Sequence, residues 1–317
     1  MAQGLWDSFG SDWKANLRLW ERSLDAAIPK VPGTWKESAT ANPAFLRRGT
    51  DLLLYYRGTG PVEGDPEARD QIGVARVIEL GVSGVKLDAG GRLAVPSGGP
   101  LGFDCEALDP SPVEFDGKVL LYYSALGPDE DSVGCATSGN GMHFERSRRI
   151  MPGRAPCAVV KDGLVYLLNQ ELSEGGGYGL TLWKSSDGVH FEPVQGKDRF
   201  VFGPADSGWD SLSVVTARVW RHGEWFTMTY GGSSEKVDEP AYFGLARSRD
   251  LVHWERHPGN PIFGAGMRGA ADGECIWFPA IFETSDGFVL LYEGATGTQA
   301  WNSDSSICLA FLPHAPE

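Results

Sequence analysis

Five segments of the chain repeat one pattern. In each copy an X-Pro step or its equivalent opens an apolar segment, a turn containing Gly or Asp follows, and a second apolar segment ends in Leu-Leu-Tyr or a related triplet. The copies run over residues 42–56, 109–123, 155–168, 215–230 and 278–292. Repetition at a period of tens of residues indicates stacked or radial units, and units made only of strands indicate propeller blades. The sequence therefore predicts an all-β fold, a five-bladed β-propeller over residues 35–317 that converges on a central funnel.

Residues 1–34 precede the first copy and show a helical spacing. Within residues 11–27 the apolar residues recur at steps of 4, 3, 4 and 3, at Trp13, Leu17, Trp20, Leu24 and Ala27. This is the spacing of one helical face, and Pro29 and Pro32 end it. The sequence predicts a short N-terminal helix that braces the outside of the propeller.

Outer strands follow each repeated pair. A third apolar strand follows in every copy, and a fourth, opened by a turn with Asp or Asn before an aromatic residue, follows in three copies. These outer turns contain His143, His190 and His253 at the same place, so we interpret the three histidines as structural. The fourth strand is absent after the fifth copy, which predicts that the N-terminal segment completes one blade or that this blade keeps three strands.

The charge balance limits the expected partners. The 42 acidic and 28 basic residues give a net charge of −14, which opposes binding to nucleic acid because each phosphate contact needs a cation. No apolar run approaches the length needed to span a bilayer. The sequence therefore predicts neither a nucleic-acid partner nor a membrane partner, and it leaves the oligomeric state open.

Cysteine usage and the N-terminus indicate the cytoplasm. The cysteines are odd in number and scattered, which favours buried thiols over disulfides: Cys105, Cys135, Cys157, Cys275 and Cys308. Residues 1–10 lack the basic cluster and the apolar region of a signal peptide. No cofactor is predicted. The acidic run at residues 129–131 could hold a structural calcium ion, although its composition favours a solvated loop.

The blade geometry selects candidate site residues. The first strand of a blade starts at the funnel and the second returns to it, so the start of one and the end of the other face the same opening. The start positions are Asn42, Asp109, Ala155, Val215 and Phe278. Charged residues just upstream are Glu37, Asp104, Glu106, Arg154, Asp210, Asp272 and Glu274. The return positions are Arg57, Ser124, Asn169 or Gln170, Gly231 and Glu293. Aromatic neighbours are Trp209, Trp277 and Phe278.

Such a funnel suits carbohydrate chemistry. Cleavage of a glycosidic bond needs one carboxylic acid to protonate the leaving oxygen and one carboxylate to activate water or attack directly, while aromatic faces stack on the sugar ring. Carboxylates crowded in a partly desolvated funnel acquire different pKa values, so one residue type supplies both acid and base. Asp and Glu before a strand also cap turns, and only Asp109 is ionisable at a repeated start position.

Several motifs resemble known propeller enzymes. Residues 42–57 and 72–76 resemble the first blade of the glycoside hydrolases and phosphorylases that act on β-mannosides, glycoside hydrolase family 130, and residues 278–295 resemble its last blade. Asp109-Pro110 with the following hairpin resembles a blade of that family and equally the second blade of the family 43 arabinanases and xylosidases. The resemblance covers most of residues 37–312 and implies a member of the five-bladed propeller glycoside hydrolase superfamily.

The resemblance implies a role for Asp109 and also shows departures. In the mannoside family the Asp before the Pro is the general acid, which implies this role for Asp109, yet Ser111 stands where that family has Arg. A His typical of the family's phosphorylases is replaced by the segment 230–232. In the arabinanase pattern the first-blade Asp is Asn42 here and the third-blade Glu is Arg154, so two of its three catalytic carboxylates are missing.

We therefore expect Asp109 to act as the general acid or to modulate a neighbouring pKa, with no metal in the site. Its catalytic partner is expected among Glu274, Asp210 and Glu106. The expected substrate-binding residues are Glu37, Asn42, Arg57, Asp104, Arg154, Gln170, Trp209, Trp277 and Glu293.

Three functions of different class are compatible with this pattern. The leading one is a glycosidase that hydrolyses a short oligosaccharide or a glycoside. A glycoside phosphorylase is the second, and a requirement of turnover for inorganic phosphate separates it from the first. A propeller that binds carbohydrate without cleaving it is the third. The residues leave open which sugar and linkage are recognised and whether the configuration is inverted.

Overall fold

The structure is a computed structural model that describes residues 4–89, 91–145, 147–195, 199–297 and 304–314. Five antiparallel sheets of four or five strands follow one another along the chain and form the blades of a β-propeller, which confirms the predicted fold. Within the described ranges, no helix is long and apolar enough to cross a membrane.

The N-terminal segment contains little regular structure. A 3₁₀ turn covers Leu5–Ser8, the helix α1 covers Trp13–Asn16, and a two-residue strand β1 covers Glu21–Arg22. The short helix is present, but it does not continue over the predicted helical face. Leu24 is 96% exposed, whereas the indole of Trp20 donates a hydrogen bond to the carbonyl of Ile262 at 2.9 Å. Strand β1 pairs with an open sheet edge where the helix was predicted to continue. An uncovered edge strand leaves backbone groups without partners, and this pairing takes precedence over the helical spacing.

Blades 1 and 2 occupy the first half of the chain. Blade 1 consists of β2 (Ala39–Arg48), β3 (Asp51–Gly60), β4 (Arg69–Gly81), β5 (Gly84–Leu87) and β6 (Arg92–Val95). Blade 2 consists of β7 (Glu106–Phe115), β8 (Lys118–Leu126), β9 (Asp131–Ser138) and β10 (Arg148–Pro152).

The remaining blades follow the same order of strands. Blade 3 consists of β11 (Arg154–Lys161), β12 (Leu164–Leu172), β13 (Tyr178–Ser185) and β14 (Glu192–Pro193). Blade 4 consists of β15 (Ser213–His222), β16 (Trp225–Ser233), β17 (Tyr242–Ser248), β18 (Glu255–Arg256) and β19 (Phe263–Gly264). Blade 5 consists of β20 (Cys275–Glu283), β21 (Gly287–Ala295) and β22 (Ser306–Pro313), with β1 as its outer strand.

The N-terminal strand closes the ring. Glu21 pairs with Phe311 and Arg22 with Ala310, so the start of the chain completes the last blade. This is the first of the two alternatives predicted for the incomplete blade. The last blade is thereby fastened to a segment that precedes the first blade in sequence.

The outer turns explain the repeated tyrosines. The hydroxyl of Tyr55 in blade 1 donates to the carbonyl of Gly141 in blade 2, and that of Tyr122 donates to Gly188 in blade 3, both at 2.7 Å. Gly141 and Gly188 both have φ of 75°, a conformation that glycine adopts without steric cost. Each of these tyrosines therefore connects its blade to the outer turn of the next blade. His143, His190 and His253 lie in outer turns of this kind, away from the axis.

Each innermost strand contains a bulge at its funnel end. The register shifts between Ala41 and Ala44 in blade 1 and at the equivalent place in every other blade. The first bulged residue has a positive φ in all five blades, and we call these five the hub residues: Asn42, Asp109, Ala155, Thr216 and Phe278. In blade 4 the hub residue is Thr216 rather than the expected Val215, because that copy lacks the proline that marks the bulge elsewhere.

Replacement of Trp20 by Ala tests the closure of the ring. Trp20 is 6% exposed, packs edge-to-face on Phe263 with ring centroids 5.7 Å apart, and donates a hydrogen bond. We expect Trp20→Ala to lower the free energy of unfolding by about 3–5 kcal/mol, as for other buried aromatic truncations, in urea denaturation. Trp13→Ala, at a tryptophan that is 40% exposed, is the matched control and should change it by less than about 1 kcal/mol. Equal losses in the two variants would contradict the role assigned to Trp20.

Candidate active site

The hub residues surround a cavity at the mouth of the axis, which we call the funnel cavity. Its volume is about 100 Å³. It is lined by Asn42, Arg57, Leu108, Asp109, Leu126, Arg154, Ala155, Gln170, Thr216, Asp238, Trp277, Phe278 and Glu293. The predicted site residues that the structure brings together here are Asn42, Arg57, Asp109, Arg154, Gln170, Trp277 and Glu293.

Asp109 is held by a hydroxyl rather than by a cation. The backbone N–H of Ala155 donates to Ser124 Oγ at 2.7 Å, so the Ser124 hydroxyl donates its own hydrogen to Asp109 Oδ2 at 2.5 Å. Burial raises the pKa of Asp109, and the charges of Arg154, Arg57 and Arg218 with the Ser124 hydrogen bond oppose that rise. The carboxyl is thus oriented by the next blade and biased towards its protonated form.

Glu293 is fully engaged by its neighbours. Its Oε1 accepts from Arg57 Nη2 at 3.1 Å and from Ser305 Oγ at 2.6 Å, and its Oε2 accepts from Asn42 Nδ2 at 2.6 Å. Arg57 also forms an ion pair of 3.1 Å with Asp70. Burial raises the pKa of Glu293, and the charge of Arg57 lowers it. This network fixes one wall of the cavity.

Asp238 is a third carboxyl group in the funnel cavity, and the sequence did not predict it. It lies in the loop between β16 and β17, forms a 3.5 Å ion pair with Arg154, and accepts on its backbone carbonyl a hydrogen bond from Trp277 Nε1 at 2.8 Å. Burial raises its pKa to about 6, the charge of Arg154 lowers it, and the charge of Asp109 raises it. The loop follows the return position Gly231 and therefore lies on the funnel side, which is the signal that could have indicated it.

Several polar atoms of the cavity wall lack a partner. In the described part of the chain, Asn42 Oδ1, Thr216 Oγ1 and Arg154 Nε are buried and accept or donate no hydrogen bond. The backbone N–H of Thr216 donates to Gln170 Oε1 at 3.1 Å, so Gln170 fixes the hub residue from the neighbouring blade. Buried polar atoms without partners are costly, and they are explained where a ligand or water supplies the missing partner.

Glu274 and Glu106 lie outside the funnel cavity. Glu274 is exposed and accepts a hydrogen bond from Lys236 Nζ at 2.7 Å, which lowers its pKa. Lys236 belongs to the same loop as Asp238, so the pair anchors that loop. Glu106 accepts from Arg69 Nη1 at 3.1 Å and from the backbone N–H of Asp70. The geometry favours structural roles, and the catalytic roles predicted for both residues remain predictions.

Asp210 and Asp104 are bound to tyrosines within their own blades. Asp210 accepts from Tyr230 Oη at 3.0 Å and from Arg256 Nε at 2.9 Å, and Asp104 accepts from Tyr123 Oη at 2.9 Å. Asp272 accepts from Tyr292 Oη at 2.7 Å, so this pair recurs in three blades. The recurrence favours a common structural role for the three aspartates, and neither Asp210 nor Asp104 lines the funnel cavity.

Two further predicted binding residues also lie outside the cavity. Glu37 is exposed and accepts from the backbone N–H of Gly33 at 2.6 Å. Trp209 stacks on Tyr230 with ring centroids 5.5 Å apart and an interplanar angle of 25°. Substrate contacts of Glu37 and Trp209 stay predictions. Among the residues that the structure describes, no group of three His, Cys, Asp or Glu side chains is arranged to hold a metal ion.

Comparisons with known proteins place the fold. No protein family model matches the chain, and no curated protein matches it either. A protein described as a glycoside hydrolase superposes with a TM-score of 0.69 at 13% identity, covering 93% of this chain and 92% of its own. The β-1,2-mannobiose phosphorylase from Listeria innocua superposes with a TM-score of 0.65 at 15% identity, covering 93% of this chain and 96% of its own.

A third similar structure comes from the GH130 family of mannoside phosphorylases, which contains glycoside hydrolases that target β-1,2 mannosidic linkages in Candida mannan. It has a TM-score of 0.65 at 17% identity and covers 94% of this chain and 95% of its own. The chain is a five-bladed β-propeller of the same fold as these glycoside hydrolases and phosphorylases, which confirms the fold that the sequence resemblance implied.

Replacement by Asn should affect stability differently at Asp210, which is bound by Tyr230 and Arg256, and at Asp109, which is buried in the funnel cavity. Asp210→Asn weakens hydrogen bonds to Tyr230 and Arg256, so we expect it to lower the free energy of unfolding by about 1–3 kcal/mol. Because the folded-state pKa of Asp109 is raised, its contribution to stability is present at low pH and is lost as the pH rises. Asp109→Asn should therefore leave the protein equally or more stable at pH 7. Urea denaturation at pH 7 measures the free energy of unfolding of both variants. A lower free energy of unfolding in Asp109→Asn with no change in Asp210→Asn would contradict this assignment.

Proposed function

We propose that the funnel cavity binds a carbohydrate and cleaves its glycosidic bond by hydrolysis, with Asp109 as the general acid and Asp238 as the general base. One observation carries the proposal: three carboxyl groups whose pKa values are raised by burial, those of Asp109, Asp238 and Glu293, line one cavity together with the cations Arg57 and Arg154. Glu293 is already engaged by Arg57, Ser305 and Asn42, which leaves Asp109 and Asp238 as the two candidates for acid and base. Crowded carboxyl groups with different neighbours are the arrangement that separates an acid from a base. The likeness in fold to glycoside hydrolases and phosphorylases supports the same class of reaction.

The neighbours of the two carboxyl groups assign their roles. Asp238 forms an ion pair with Arg154, which favours its ionised form above about pH 6. Asp109 is more deeply buried in the hub, and this burial favours its protonated form against the opposing effects of the arginine charges and the Ser124 hydrogen bond. Asp109 then donates its proton to the leaving glycosidic oxygen, while Asp238 takes a proton from a water molecule whose oxygen bonds to the anomeric carbon as the C–O bond breaks.

The cavity wall suits hydroxyl groups. A sugar hydroxyl both donates and accepts, so it can donate to Asn42 Oδ1 and accept from Arg154 Nε, two atoms that lack partners within the described ranges. Thr216 Oγ1 offers a third such position. A ligand with several hydroxyl groups would offer partners to these atoms.

The size of the cavity restricts how a sugar enters. A volume of about 100 Å³ corresponds to roughly three water molecules and is smaller than most ligand pockets. The Asp238 loop borders the cavity and is held by the exposed pair of Lys236 with Glu274, by the hydrogen bond from Trp277 Nε1 to the carbonyl of Asp238, and by the ion pair of Asp238 with Arg154. The exposed ion pair contributes little stability, so movement of this loop, with loss of the Trp277 hydrogen bond and the Arg154 ion pair, is the route by which we propose that a whole ring enters.

Phosphorolysis is the second candidate, because the same cavity contains Arg57 and Arg154. Phosphate in place of water would need these cations, and the proposed acid would be unchanged. A panel of nitrophenyl glycosides and short oligosaccharides, assayed with and without inorganic phosphate, separates the two. Turnover without phosphate supports hydrolysis, turnover only with phosphate supports phosphorolysis, and sugar binding without cleavage supports a binding protein.

The pH profile tests the two roles. The proposed roles require Asp109 to keep its proton at a pH where Asp238 has lost its own. The rate should therefore rise as the pH increases through about 6, where Asp238 loses its proton, and fall where Asp109, whose pKa is raised by burial, loses its proton. Asp238→Asn should remove the rising limb and lower kcat by about 100- to 10,000-fold, the usual range for loss of general acid–base catalysis.

Asp210→Asn is the matched control, since it changes the same functional group in the same blade outside the cavity. At a temperature where it remains folded, it should keep both limbs of the profile. Retention of full activity by Asp238→Asn on a substrate that the parent protein cleaves would eliminate Asp238 as the base.

A further inference from the structure

A second cavity lies at the opposite end of the propeller axis, and we call it the opposite-face cavity. Its volume is about 400 Å³, within the range of small-molecule sites and larger than the funnel cavity. Its walls come from the far ends of the innermost strands of blades 1, 4 and 5, including Arg47, Arg221 and Glu283. A strand rises about 3.4 Å per residue, so Arg221 lies roughly 17 Å along β15 from the hub residue Thr216.

The lining of the opposite-face cavity is cationic, although the whole chain carries a net charge of −14. Arg47, Arg218 and Arg221 contribute three positive charges against the single carboxylate of Glu283. The guanidinium of Arg47 lies 5.0 Å from the ring centroid of Phe282, and Arg221 Nε donates to the carbonyl of Gly223 at 3.2 Å. Both arginines are exposed, and within the described ranges neither forms an ion pair.

The walls of this cavity are also aromatic. Phe45, Trp220 and Phe282 are half-buried, belong to three different blades and line the cavity, and the rings of Phe45 and Phe282 pack together with centroids 5.5 Å apart. Aromatic faces and guanidinium planes both accept a flat group against them. The combination fits a ligand with a ring and a negative charge better than it fits a neutral sugar.

The base of the cavity is a buried cation without a carboxylate contact. Arg218 donates from Nε to the carbonyl of Pro43, from Nη1 to Ala217 and from Nη2 to Pro110, each at 3.2 Å. Its guanidinium lies 4.6 Å from the Phe278 ring centroid, and burial lowers its pKa to about 10. An anion bound nearby would lessen the cost of burying this charge.

We propose that the opposite-face cavity binds an organic anion with a ring, a carboxylate or a phosphate monoester, whose charged group meets Arg47 and Arg221 and whose ring lies against Phe282 and Trp220. This site is separate from the funnel cavity, because the hydrogen bonds of Arg218 to backbone carbonyls of three blades close the axis between them. Binding of the anion at this cavity requires no glycosidase activity, so the proposal can be tested whether or not the funnel cavity cleaves a glycoside.

Isothermal titration calorimetry with benzoate, phenyl phosphate and the neutral benzamide tests the proposal. We expect at least one of the two anions to bind and benzamide not to bind. The difference between benzoate and phenyl phosphate shows whether a carboxylate or a phosphate is preferred. The double variant Arg47→Gln/Arg221→Gln alters two exposed side chains and should weaken anion binding by about tenfold or more, because hydrogen bonds to charged groups are lost.

Two single variants serve as controls. Arg149→Gln removes one charge from an exposed arginine outside both cavities, and Arg154→Gln removes a charge from the funnel cavity. Both should bind the anion as the parent does. Loss of binding in Arg154→Gln with retention in the double variant would place the anion in the funnel and overturn the proposal, as would failure of both anions to bind the parent protein.

Discussion

The rest of the structure depends on the bulge at the funnel end of each innermost strand. Each bulge leaves two residues out of the ladder and gives the first a positive φ, which turns its side chain towards the axis. Asn42 and Asp109 tolerate this conformation, whereas the β-branched Thr216 and the bulky Phe278 adopt it at a cost. Strain of this kind persists only where the surroundings enforce it, so the closed ring of blades determines which side chains meet at the hub.

Burial then decides what these side chains can do. Charges in a buried hub need partners, and most of them have one: Arg57 lies between Asp70 and Glu293, and Arg154 pairs with Asp238. Asp109 is bound by a hydroxyl instead, so its negative charge is the least directly compensated of the hub carboxylates. The carboxyl group that we propose as the general acid is therefore the one whose charge its neighbours compensate least. The contacts of Asp109 and the family resemblance of its motif thus both favour the same residue as the acid.

Much of the fold could be predicted from the sequence, because each blade repeats the same hydrophobic alternation and turn chemistry. Local patterns failed where tertiary contacts outweighed them. The helical spacing of residues 11–27 did not anticipate that Glu21 and Arg22 would cover the edge of blade 5. About half of the predicted site residues line the funnel cavity, because alignment of the five repeats identifies which residues lie at the funnel end of each blade. Alignment of the five repeats does not show that an aspartate such as Asp210 is bound by a tyrosine of its own blade. It also does not show that the loop containing Asp238 folds back to the axis and pairs with Arg154.

Arg218 connects the chemistry of the two ends of the axis. Its guanidinium is held by carbonyls that follow the bulges of blades 1 and 2, and its charge lowers the pKa of Asp109 on the funnel side. The same side chain forms the base of the opposite-face cavity. Electrostatic interactions are weakly screened in a buried hub, so a negative charge that approaches Arg218 from the far side offsets part of the field acting on Asp109. Because that field favours the ionised carboxylate, partial neutralisation of Arg218 favours the protonated form that the acid requires. The two cavities are thus sterically separate but share one charge.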